Sequence, residues 1–145
     1  MALAELSIYA ALFLNAFVAA TLLPAMSELT LASLLLAETG TPFGLFIAAT
    51  VGNVTGSCLN WWLGHRITQY QSRHWFPFTP GQLERGRKYF ERFGKYSLLF
   101  AWLPIIGDPL TLIAGVLRTR FPMFVLLVSI GKATRYGIIV LTVGP

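Results

Sequence analysis

Four ionisable residues, Glu28, Asp108, Lys132 and Arg135, sit inside otherwise apolar stretches of this chain. At a membrane centre each such group costs roughly 2.5–3.5 kcal/mol to insert, so the set costs about 10–14 kcal/mol. That rivals the whole insertion gain of one apolar span, at about 0.3–0.6 kcal/mol per large residue, and makes unpaired charges implausible. Two acids and two bases balance, and Lys132 and Arg135 at i,i+3 share a helix face. A buried polar centre is therefore expected, and two chemistries fit it. Fixed ion pairs could hold the segments together. Alternatively, Glu28 and Asp108 take up and release protons, Arg135 grips a phosphate or other anionic group with its planar fork, and Lys132 adds a point charge. Intramembrane ionisable groups mark transport paths more often than stability, which favours the second.

The elements that must position these residues are of two kinds. Residues 43–63 and 121–143 are apolar runs that as helices would be about 32 and 35 Å long, enough to cross a bilayer core. Residues 6–37 are interrupted by Pro24 and Glu28, and residues 98–117 by Pro104, Gly107, Asp108 and Pro109, so neither reads as one continuous helix. In the second, the arms of six and eight residues would reach about 9 and 12 Å, to mid-membrane and back. Re-entrant helical hairpins are expected, with breaks at Pro24, Pro104, Gly107 and Pro109. Broken backbone at that depth must face protein or a water-filled cavity, so both breaks should share one interior.

Composition supports a membrane protein. Of 145 residues, 55% are hydrophobic and 12% charged, and the mean hydropathy is +0.64, a poor match to a soluble domain with about a quarter charged residues. The net charge of +5 is segregated, because the first basic residue is Arg66. The opening apolar run thus lacks the basic start of a secretory signal and is expected to be retained. Residues 64–97 hold seven basic residues against Glu84 and Glu91, so this loop is expected on the cytoplasmic side. A returning second hairpin keeps Arg118 and Arg120 on that side too and leaves Pro145 periplasmic. Within the loop, Leu83, Phe90 and Phe93 fall near one helical face, and Glu84/Lys88 and Glu91/Lys95 are favourable i,i+4 pairs. An interfacial amphipathic helix is expected, either a contact for anionic lipid or a solvated topology determinant.

The chain also repeats itself. LPAMSE (23–28) matches LPIIGD (103–108) at an offset of 80, Pro42 matches Pro122 at the same offset, and GNVTG (52–56) matches GKATR (131–135) at 79. One hairpin plus one crossing is an odd number of crossings, so the second copy must be inverted, as in secondary transporters. The expected fold is an all-α polytopic membrane protein, a single domain over 1–145. Repeat 1 covers 6–63, the cytoplasmic amphipathic loop 64–97, and repeat 2 covers 98–143. Gly52, Asn53, Gly56 and Asn60 read as helix packing, and Trp61, Trp62 and Trp75 as interface anchors. Cys58 reads as a small apolar residue. His65 and His74 lack partners for a metal, and no nucleotide loop or catalytic triad is present. No metal, cofactor or nucleic acid is expected, and an enzyme is the least supported class.

LPAMSE, GNVTG, the run ERFGKYSLLFAWLPIIGDPLTLIAGVLR and the ending GKATRY resemble the YqaA branch of the DedA family, also called SNARE-associated or VTT-domain proteins, over nearly the whole chain. The resemblance implies a bacterial inner-membrane protein with two re-entrant hairpins, in a superfamily of proton-dependent transporters and lipid flippases or scramblases. It points to Glu28 and Asp108 as membrane acids, Arg135 as a functional base and Arg118 as a further candidate. Membrane lipids, anionic ones included, and protons are the implied partners, with a homo-oligomer left open. The chain departs from typical members in being short. Proton-coupled transport or lipid flipping is the expected activity, against a non-transporting module that supports the envelope or assembles with a partner.

Overall fold

The computed structural model describes residues 2–21, 26–66, 80–94, 96, 98, 99, 107–117 and 119–144. The described residues are helical, without a strand: α1 (Ala2–Thr21), α2 (Met26–Leu36), α3 (Pro42–His65), α4 (Pro80–Phe93), α5 (Gly107–Val116) and α6 (Phe121–Val143). α3 begins on Pro42 and α6 carries Pro122 at its second position, where the missing N–H costs nothing. Thr41 caps α3 by accepting from the Gly44 N–H at 3.1 Å, and its own N–H donates to the Tyr9 hydroxyl at 2.9 Å.

Among the described residues, three helices are long and apolar enough to cross a membrane: α1 over Ala2–Ala20, α3 and α6. The last two were expected, and α1 is an addition. The interruption at Pro24 comes late in the apolar stretch, and no proline or charge breaks residues 6–21, so a 20-residue helix forms before it. At the second break, α5 begins at Gly107. Gly107 and Pro109 therefore open a helix instead of lying in the break, since a proline in a first turn needs no hydrogen-bond donor. The breaks expected at Pro24 and Pro104 lie outside the described residues.

Close backbone approach sets the packing. Gly52 lies against the Phe13 carbonyl and Gly56 against that of Phe17, while Asn60 donates to the Ala20 carbonyl at 3.0 Å. α1 and α3 thus run parallel, with the start of α1 beside the start of α3 at Tyr9 and Thr41. α6 runs antiparallel to α3, because Gly137 meets Phe46 at one end and Phe124 meets Trp61 at the other. The two short helices cross over between halves. α2 lies parallel on α6, Ser27 beside Tyr136 and Leu35 beside Gly144. α5 lies parallel on α3, Thr111 beside Asn60 and Val116 beside Gly64. Applying the repeat offsets to Ser27–Tyr136 places residue 107 beside 57, and one turn on 111 beside 61. The observed partner of Thr111 is Asn60, one residue away, so the two halves share a register as well as a sequence pattern and are related as inverted repeats.

Two apolar clusters result. One joins Leu12, Leu31, Leu35, Leu45, Ala49 and Tyr136. The other joins Leu98, Ala114, Phe124, Leu127 and Val128, with Phe90 of α4 packed against it. Phe93, expected on the same face as Phe90, is 40% exposed.

A membrane-embedded ionic site

The first turn of α2 and the middle of α6 bring the central charges together. Arg135 Nη2 lies 2.9 Å from Glu28 Oε1, with the two side chains 12% and 20% exposed. The same Nη2 donates to the Tyr136 hydroxyl at 3.1 Å, and that oxygen lies 2.6 Å from Ser27 Oγ in a fully buried contact. The guanidinium carbon stands 4.9 Å from the centre of the Tyr136 ring, a cation–π contact. Glu28 Oε2 is buried without a hydrogen-bond partner among the described residues. The contacts of Arg135 thus include a carboxylate oxygen, a hydroxyl and an aromatic face, and the second carboxylate oxygen of Glu28 is an acceptor without a partner among the described residues.

Lys132, one turn before Arg135, is fully buried. Asp108 lies in the first turn of α5, but its side chain and all of Arg118 lie outside the described residues. Of the expected pairings, the structure displays Glu28 with Arg135. Gly52, Asn53 and Gly56 form the contact with α1, where the Asn53 amide donates to the Ala16 carbonyl at 2.8 Å.

Several polar residues of the interior were not anticipated. Ser27, Ser57 and Thr111 are fully buried, and Thr50 Oγ1 and Asn15 Oδ1 are buried and unpartnered among the described residues. Thr50 and Ser57 could have been found by their spacing, since with Asn53 and Asn60 they fall 3, 4 and 3 residues apart along α3. Ser27 and Thr111 carry no such signal. Trp61 also departs from expectation. It is the centre of a cluster, its ring 4.1 Å from His65 and 5.0 Å from Phe121, and its Nε1–H donates to the Thr119 carbonyl at 3.1 Å. Trp62 is exposed under Arg66, while Trp75 and His74 lie outside the described residues. No group of three or more metal-ligating side chains occurs among the described residues.

The VTT domain matches residues 23–143, from just before α2 to the end of α6. The inner membrane protein YqaA of Escherichia coli is 34% identical over 125 residues, covering 86% of this chain and 83% of that protein. An uncharacterized protein of Haemophilus influenzae is 32% identical over 132 residues, covering 86% and 80%. No solved structure matches. A buried acid–base pair carried on inverted repeats, a domain match over most of the chain and relatives in the inner membrane place this chain in the VTT-domain (DedA) family of membrane proteins.

Proposed function

We propose that this protein moves an anionic lipid or small ion across the inner membrane, coupled to protons, and is a transporter or flippase rather than an enzyme. The supporting observation is the Glu28–Arg135 pair, placed where a short helix of one half meets the spanning helix of the other. A carboxylate held through one oxygen can release its arginine when it takes a proton. The freed guanidinium then presents its fork to a phosphate or carboxylate. Asp108, at the matching position of the other half, serves as the second acid, with Lys132 and Arg118 as further positive charges. In this reading the segments around Pro24 and Pro104 are re-entrant turns, and the loop carrying residues 64–97 is cytoplasmic.

A fixed structural pair is the alternative, favoured by the extra ties of Arg135 to Tyr136. In proteoliposomes with a trapped pH dye, wild type should acidify the lumen under an imposed gradient. Glu28→Gln, near-isosteric but unable to exchange a proton, should insert and fold yet carry no flux. A purely structural pair predicts instead an unstable Glu28→Gln, because a buried cation stripped of its partner costs about 3–5 kcal/mol.

A further inference from the structure

One face of α3 carries Thr50, Asn53, Ser57 and Asn60, a stretch of eleven residues that rises about 15 Å along the helix. Asn53 and Asn60 are 1% and 0% exposed. Their amide nitrogens are used: Asn53 donates to the Ala16 carbonyl, and Asn60 to the Ala20 carbonyl and, at 3.1 Å, to Thr111 Oγ1. Their amide oxygens, and Thr50 Oγ1, are buried and have no hydrogen-bond partner among the described residues. Amide oxygens only accept, so a row of them needs small donors. Buried acceptors left unmet are costly, and water satisfying two to four groups at once is the usual answer.

The row also has a direction. Since Phe46 meets Gly137 and Trp61 meets Phe124, Asn53 lies at about the level of Lys132. Below it, Ser57 and Asn60 lead toward Trp61, which with Phe121 and Phe124 closes that end. Above Thr50, the closure is Leu45, Ala49, Leu12, Leu31 and Tyr136. In the other half the offset of 79 carries Thr50, Asn53 and Ser57 to Ser129, Lys132 and Tyr136, which are polar as well, whereas Asn60 goes to Ile139 and Thr111 to Leu31 in the apolar cluster, so the two faces differ at the Asn60–Thr111 end.

We infer that Thr50, Asn53, Ser57 and Asn60 line a file of water molecules inside the protein, running from the level of Lys132 toward Trp61. It deepens the proposed function by giving protons a relay beside the central charges, and so rests on that reading for its purpose but not for its existence. The test is X-ray-generated hydroxyl-radical oxidation of the full chain in lipid nanodiscs, read by mass spectrometry, in a Cys58→Ala background. Ser57→Cys and Thr50→Cys should be oxidised, while Leu59→Cys, facing lipid, should stay protected. Adding Asn60→Leu to Ser57→Cys should remove the oxidation. Where that variant does not fold, adding the near-isosteric Thr50→Val to Ser57→Cys should reduce it. Protection of both stripe positions to the level of Leu59→Cys overturns the inference, as does oxidation indifferent to Asn60→Leu and Thr50→Val. Protection by sodium that choline does not reproduce also overturns it, because the acceptors would then hold a metal cation. Oxidation does not depend on flux. A protein that conducts no protons yet shows this pattern keeps the water file and loses the transport reading, and the reverse pattern does the opposite.

Discussion

A hydroxyl shared between a guanidinium and a serine ties three side chains with one oxygen, and the Tyr136 hydroxyl is that oxygen. Tyr136→Phe keeps the ring over Arg135 and removes the tie, so it should lower stability by about 1–3 kcal/mol, the cost of stranding a buried polar partner, with thermal aggregation as the readout. If the pair must open during work, the same change should not lower flux in proportion. Gly52→Ala and Gly137→Ala form a sharper contrast. A Cβ at Gly52 would collide with the Phe13 carbonyl, whereas at Gly137 its nearest neighbour is a Phe46 ring carbon at 3.7 Å. The first should cost about 1–3 kcal/mol and the second little. Glu28 and Arg135 were legible in the sequence because a charge in an apolar run demands a partner. Thr50 and Ser57 were legible only through their spacing with Asn53 and Asn60, and Ser27 was not, since a small hydroxyl in a membrane helix can satisfy itself on the preceding turn, as Ser33 does on the Leu29 carbonyl at 2.7 Å.

Among the elements, α3 and α6 were readable from apolar length and a proline start, and α4 from its alternation of charge and aromatic residues. The length of α1 was harder to read, because a break within an apolar segment does not announce how far helix extends on either side of it. The opening of α5 at Gly107 was obscured for a related reason: proline both ends helices and begins them. α1 is pinned to the start of α3 by Tyr9, whose hydroxyl accepts from the Thr41 N–H and lies 3.3 Å from Thr41 Oγ1. Tyr9→Phe should therefore loosen both helix ends together. Hydrogen exchange at residues 41–45 should rise with it, for a loss of about 1 kcal/mol.

For the whole molecule, the inverted halves were visible as three ordered matches, but their mutual embrace was not, since an offset in sequence says nothing about which helix packs on which. The charge distribution sets the expected topology. With Cys58→Ala as background, Arg85→Cys and Thr119→Cys should be labelled by an impermeant thiol reagent from the cytoplasmic side, and Ala37→Cys from the periplasmic side. Labelling of Thr119→Cys from outside alone would remove the returning second hairpin. The crossed seating of α2 on α6 and of α5 on α3 has a consequence for biogenesis. When the ribosome has made only the first half, Glu28 has entered the bilayer and Arg135 does not yet exist. Glu28 therefore lacks this partner until the last helix is synthesised. Split between residues 70 and 80, the two fragments should each be degraded when expressed alone and accumulate when expressed together.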